Sequence, residues 1–153
     1  MKIGTAELSD CKTVLHIVRE TVSAVYPHYY PEGAVRFFLA HHKEERIRQD
    51  IAAGAVYLLF EDSGIPVGTV TVRGNEINRL FVLPEQQGNG FGRVLMDFAE
   101  ALIGKAFSSI ELDSSLPAKA IYLRRGYETV SYHVIDADGD YLCYDHMKKE
   151  VKM

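Results

Sequence analysis

The chain is poor in cysteine: Cys11 and Cys143 are the only two among 153 residues. Two thiols so placed make neither a disulfide framework nor a metal-ligand spacing. The opening residues, Met1-Lys2-Ile3-Gly4-Thr5, lack a basic stretch followed by an apolar run, so no secretory leader is expected. No apolar tract is long enough for a bilayer. These absences point to a cytoplasmic protein without a membrane partner. An excess of positive charge is missing too. Seventeen basic residues face 21 acidic ones, a formal net charge of −4. That balance argues against a nucleic-acid partner, which normally meets a basic face.

What is present suits an ordinary globular core, with a hydrophobic share of 47% and a charged share of 25%. No repeat or linker divides the chain, so one domain over residues 1–153 is expected. Residues 2–6 read as a short strand. From Ser9 to Val25 the residues Val14, Leu15, Val18, Val22 and Val25 recur at helical spacing, with Ser9 or Asp10 as N-cap. The segment Tyr26-Pro27-His28-Tyr29-Tyr30-Pro31 breaks that helix. A second helix is expected over 43–53, stopped by Gly54. Strands follow over 55–61, 66–73 and 77–83, the first two joined by Asp62-Ser63-Gly64. A helix over 91–105 carries Val94, Leu95, Phe98, Ala101 and Leu102 on one side. Then come a strand over 109–113, a helix over 117–125 with proline in its first turn, and two strands around Asp138-Gly139. The order βααβββαβαββ describes a mixed α/β domain, a mixed sheet of the α+β kind. Its early antiparallel meander separates it from a repeated βαβ dinucleotide fold.

The most informative stretch is Glu85-Gln86-Gln87-Gly88-Asn89-Gly90-Phe91-Gly92-Arg93, between the apolar run Leu80-Phe81-Val82-Leu83 and an amphipathic helix. Three alternating glycines let the backbone turn sharply and approach a ligand closely. The helix behind them offers unpaired N–H groups and the positive end of its dipole, a place suited to a pyrophosphate. A helix-start turn without any ligand would read the same way. The dinucleotide fingerprint needs a different glycine spacing inside a βαβ unit, and the NTPase loop needs a Gly-Lys-Ser or Gly-Lys-Thr ending that is absent here.

Gln87, Gly90 and Gly92 resemble the Gln/Arg-x-x-Gly-x-Gly/Ala signature of the GNAT superfamily of N-acetyltransferases, preceded by the similar strand ending Leu80-Phe81-Val82-x-Pro84. Downstream, Ser115-Leu116-Pro117-Ala118 and Tyr122-Leu123-Arg124-Arg125-Gly126-Tyr127 resemble the family's Asn-x-x-Ala…Tyr-x-x-x-Gly-Phe element, with Ser115 for Asn and Tyr127 for Phe. The resemblance covers residues 76–127 in motif and nearly the whole chain in element order. It implies acetyl-CoA as acyl donor, lying in a V between two parallel strands that end near Val82 and Asp113. Main-chain groups of Leu80, Phe81 and Val82 would hold the acetyl carbonyl and pantetheine. Amides from Gly88, Asn89, Gly90, Phe91 and Gly92, behind Gln87, would hold the pyrophosphate, and Ser115 stands at a side-chain contact. Dimers are common in the family, so a homodimer is among the implied assemblies.

Acyl transfer to an amine needs a neutral nucleophile, an oxyanion donor and a proton for the leaving thiolate. An alkyl amine of pKa ~10 costs about 4 kcal/mol to deprotonate at neutral pH. The resemblance implies Tyr122 as the acid, by its position four residues before Gly126. It also implies Glu76 as a base acting through water, where some members carry a glutamate. Without the family, Tyr122 reads as a helix aromatic on the sheet and Glu76 as an exposed strand-end carboxylate. The segment joining the first helices commonly walls the acceptor site in this family, which implies His28, Tyr29 and Tyr30 near the amine; packing at the core edge is the other reading. His41-His42 and the other histidines have no ligating spacing, and Asp136-Ala137-Asp138-Gly139-Asp140 departs from a calcium loop, so no metal is expected. The expected acceptor is a small primary amine or polyamine, then a protein N-terminus or lysine. A non-catalytic acyl-CoA sensor on the same fold is the alternative.

Overall fold

The spacing of Val14, Leu15, Val18 and Val22 is realised in a computed structural model describing residues 1–151 as helix α1 (Cys11–Val25), which also buries Cys11, Ile17 and Thr21. A 3₁₀ turn over Leu8–Asp10 leads into it. Asp10, one of the two expected N-cap positions, is the N-cap of α1, and its carboxylate turns back to accept the Glu7 N–H at 2.9 Å, so that a helical turn already opens at Glu7.

One helix more is present than the sequence pattern indicates. Helix α2 (Glu32–His41) starts directly after Pro31, and α3 (Glu44–Ala52) follows. Gly33, the second residue of α2, disguises it as a loop. That glycine is needed for packing: a Cβ there would sit 2.4 Å from the Ala137 carbonyl oxygen and 2.7 Å from the Asp140 carboxylate. The same carboxylate accepts the Gly33 N–H at 2.7 Å, fastening the start of α2 to a distant hairpin. The order is thus βαααβββαβαββ.

Strands β1 (Lys2–Thr5), β2 (Val56–Phe60), β3 (Pro66–Arg73) and β4 (Glu76–Val82) form the antiparallel meander. After α4 (Phe91–Gly104), β5 (Ser109–Ser114) and α5 (Lys119–Arg124), the strands β6 (Glu128–Ala137) and β7 (Asp140–Glu150) close the chain. Asp138 and Gly139, with φ of 53° and 83°, make the tight turn between them. The seven strands lie in the order β1-β2-β3-β4-β5-β7-β6, antiparallel everywhere except between β4 and β5. One apolar cluster packs α1, α2 and α3 on one face, and a second packs α4 and α5 on the other. In α4 the buried residues are Leu95, Met96, Ala99 and Ile103, while Ala101 faces outward. The helical period through Leu95 and Ala99 reaches Ile103, which the expected Val94–Leu102 face left out. No described helix is long and apolar enough to cross a membrane.

Candidate active site

The parallel pair β4–β5 is held by two register pairs, Glu76 with Glu111 and Ile77 with Leu112. Beyond Ile77 the strands have no ladder partner in each other, and a cavity of about 530 Å³ occupies the gap. A bulge helps to open it. Opposite β3, Thr69 pairs with Phe81 but Thr71 with Asn78, so Arg79 and Leu80 together face Val70. Arg79 takes φ 47°, uncommon for a residue with a Cβ. Leu80, Phe81 and Val82 line the cavity, as do Asp113, Ser114 and Ser115 across the gap.

The glycine turn closes one end. Gly88 and Gly90 adopt φ of 84° and 83°, where side-chain-bearing residues are strained. Gly90 caps α4 without a side-chain bond, so the first N–H groups of the helix keep no protein cap. A Cβ built at Gly88, Gly90 or Gly92 meets no atom within 4 Å, leaving open space over the turn. Gln87 ties the turn to β4 through its Nε2 donating to the Val82 carbonyl at 3.0 Å, and Asn89 donates to the Gln86 carbonyl at 3.1 Å. Gln87, Gly88, Gly90, Phe91 and Gly92 line the cavity; Asn89 is exposed beside it. An unpaired strand edge and bare helix amides together fit the amides and pyrophosphate of coenzyme A.

Tyr122 reaches the same cavity from α5, buried and stacked edge-on against Tyr127 with ring centroids 5.7 Å apart. Burial pushes its phenol well above the usual range, and the nearby Tyr26 adds to that. The proton therefore stays on the oxygen at neutral pH.

The structure corrects several expectations. Glu76 is exposed at the start of β4, just outside the cavity lining, which begins one residue later at Ile77. His28 is exposed on a 3₁₀ turn away from the lining. Tyr30 is buried structural material: its hydroxyl accepts the Leu116 N–H at 2.6 Å and donates to the Cys143 carbonyl at 3.3 Å, tying three segments together. Of that trio only Tyr29 lines the cavity. Neither cysteine does.

The far end of the cavity is built from residues the sequence did not single out as functional. Arg79 is nearly fully buried and pairs with Asp50 at 2.7 Å, while Arg73 reaches the other Asp50 oxygen at 3.3 Å. Arg79 Nε donates to His42 Nδ1 at 3.3 Å, and its Nη1 donates to Thr71 Oγ1 at 3.3 Å. Burial, then His41 and the arginines Arg79 and Arg46, push His42 down to about 3. His41 is lowered as well, by burial first and Arg46 next, and its Nδ1 lies 3.1 Å from Arg46 Nη1. On the opposite wall, Asp113 Oδ1 lies 2.7 Å from His146 Nδ1, and Glu111 Oε1 lies 2.9 Å from His146 Nε2. Both ring nitrogens facing carboxylates demand the imidazolium, and the Glu111 bond followed by the Asp113 bond raises His146 accordingly. The signal for these residues was faint: a histidine pair and an arginine inside an apolar strand.

Comparison with known proteins gives a consistent picture. A family model described as an acetyltransferase (GNAT) domain matches residues 25–151. An uncharacterized N-acetyltransferase of Escherichia coli K12, YafP, is 26% identical over 131 residues, covering 86% of this chain and 83% of its own. A GCN5-related N-acetyltransferase from Rhodopseudomonas palustris superposes with a TM-score of 0.88 at 22% identity, over 97% of this chain and 94% of that one. The PaiA N-acetyltransferase of Thermoplasma acidophilum, solved with coenzyme A, gives 0.74 at 20% identity over 97% and 98%. Salmonella typhimurium yncA, solved with acetyl-CoA, gives 0.67 at 18% identity over 100% and 95%.

Proposed function

The chain belongs to the GNAT acetyltransferase family, and on that footing we propose that it moves an acetyl group from acetyl-CoA to a primary amine, by direct attack in a ternary complex. The observation that carries the reading is the parted β4–β5 edge running into the glycine turn, a main-chain trough inside one cavity. Relatives solved with coenzyme A and acetyl-CoA support the same guest. Acetyl-CoA supplies the activated acetyl group. Main-chain groups of Leu80, Phe81 and Val82 then hold the acetyl carbonyl and pantetheine, with an amide near Leu80 as the oxyanion donor, a contact often worth about 3 kcal/mol. Amides from Gly88 to Gly92 take the pyrophosphate, and Ser115 borders the pantetheine.

Tyr122 is the proton source for the leaving sulfur. Burial keeps it protonated but also raises the cost of full transfer to a thiolate of pKa ~8.5. Its part is thus a hydrogen bond to sulfur that hands over the proton late. The amine's proton has one carboxylate in the described lining to reach, Asp113, and this residue replaces Glu76 as the base in our reading. With no cysteine in the lining, direct attack is favoured over a covalent enzyme intermediate.

The test pairs calorimetric titration of coenzyme A with thiol release over a panel of amines. Binding in the micromolar range together with acceptor-dependent release is expected. Binding without release for any amine would turn the reading to a non-catalytic acyl-CoA sensor, and absence of binding would remove both.

A further inference from the structure

The His41–His42 end of the cavity has an unusual supply of hydrogen-bond donors. An arginine N–H can only donate, so His42 Nδ1, which receives Arg79 Nε at 3.3 Å, is an acceptor. The ring is neutral near pH 7, being held far below the usual histidine value. Its proton therefore sits on Nε2. The same reasoning applies to His41, whose Nδ1 faces Arg46 at 3.1 Å. Two fixed tautomers thus leave two imidazole N–H edges free on rings that line the cavity. The buried Asn78 Nδ2, also in the lining, donates to nothing in the protein.

Positive charge predominates around these donors, although the Asp113 carboxylate acts on His41 in the opposite sense. Arg46, Arg73 and Arg79 all act on His41, and the nearest carboxylate among them, Asp50, is shared by Arg73 and Arg79. Arg46 has no carboxylate partner within 4.0 Å among the described residues. Asp113 stands across the cavity, with Oδ1 bonded to His146 and Oδ2 free of that bond. Phe37, Phe38, Tyr29 and Phe81 supply apolar wall in between. A polycation would meet N–H donors with arginines behind them at this end; an acceptor bearing its own anion would meet complementary groups.

We propose that the acceptor is an apolar α-amino acid, its amine set against Asp113 and its carboxylate held by the free N–H edges of His41 and His42 with the Asn78 amide. This rests on the acetyltransferase reading and names its substrate class, displacing the polyamine expected from the sequence. No atom balance beyond amide formation is added: the amine nitrogen gains the acetyl group and loses one proton, and coenzyme A leaves as the thiol.

The experiment compares matched acceptors. Thiol release is measured with apolar amino acids, with their amides, with the corresponding decarboxylated amines, and with spermidine. The amino acids should exceed their decarboxylated amines in kcat/KM by at least about tenfold, because a site built to hydrogen-bond a group rejects the analogue that lacks it. In His41→Phe, which keeps a ring stacked on Phe37, that ratio should fall by about tenfold, the loss of one charge-assisted bond. Arg46→Gln, a change at an exposed side chain that bears on folding least, should lower it by a smaller factor. Amides, decarboxylated amines or spermidine used as well as the amino acids would overturn the proposal while leaving the acetyltransferase standing. Release with none of them but with a peptide bearing a free N-terminus or lysine would overturn the proposal alone; release with no amine or peptide would remove the acetyltransferase reading with it.

Discussion

At the glycine turn the cavity wall is main chain, whereas at the His41–His42 end it is side chain. The turn owes its shape to Gly88 and Gly90 in left-handed conformations and to a helix start without a cap. Its side chains are exposed or serve only to pin the loop, as Gln87 does. The far end depends on a buried network in which Arg79 holds Asp50, Thr71 and His42 together. Backbone recognition tolerates most sequence change except at glycine. Side-chain recognition lets a fixed main-chain trough be joined to a changeable side-chain wall.

The contrast is most exposed at Asp50. Asp50→Asn strips the counter-charge from a nearly buried guanidinium, and breaking a buried pair this way costs about 3–5 kcal/mol. Denaturant unfolding should register that loss, while Asn89→Ala at the turn should change stability by less than about 0.5 kcal/mol. Equal effects would erase the distinction. Acid should attack the same end. His42 takes up a proton near pH 6.5 when unfolded but only near pH 3 when folded. Stability is therefore unaffected by this ring above pH 6.5. It falls by up to about 1.4 kcal/mol per unit as the pH drops from there toward 3. Stability followed between pH 7 and 4 should show a shallower decline in His42→Gln than in the native chain.

Tyr122→Phe comes next, at the junction of the two ends. Removing a positioned acid typically costs about 100-fold or more in turnover. Coenzyme A affinity should stay within about threefold, since main-chain groups carry it. Steady-state kinetics and calorimetry together check this; an undiminished kcat would leave Tyr122 as a packing residue against Tyr127.

The same division explains what was legible beforehand. The strand and helix around the glycine turn advertise themselves locally, through an apolar run, three glycines and a helical period, and the structure returns them nearly as read. Helix α2 was hidden because Gly33 is chosen by a contact with Ala137 and Asp140, residues of a hairpin far along the chain. The His41–His42 end was hidden for a related reason. His42, Asp50, Thr71 and Arg79 lie on different elements and meet only after folding, so no window of sequence contains them together. Tyr30 stayed open between two readings because an aromatic in a loop carries no mark of whether its hydroxyl faces a ligand or, as here, two backbone groups.

Gly90→Val should weaken coenzyme A by about tenfold, the equivalent of the 1–2 kcal/mol penalty for a branched residue in the left-handed region. The built Cβ meets no protein atom, so the loss should appear in ligand binding more than in packing. Calorimetry that finds the affinity unchanged would mean the turn is only a helix start.

The smallest effect belongs to Glu76→Gln. The carboxylate is solvent-exposed and stands just outside the lining that begins at Ile77. What β4 needs from this position is its backbone, paired with Arg73 on β3 and with Glu111 on β5, and glutamine preserves that pairing. Turnover and its pH profile should stay within about twofold, the range of surface substitutions away from special features. Asp113→Asn, by contrast, removes the one carboxylate of the described lining. A collapse in Glu76→Gln with an intact Asp113→Asn would move proton removal back to the mouth of the strand pair. The acceptor end would then bind the amine without taking part in its chemistry.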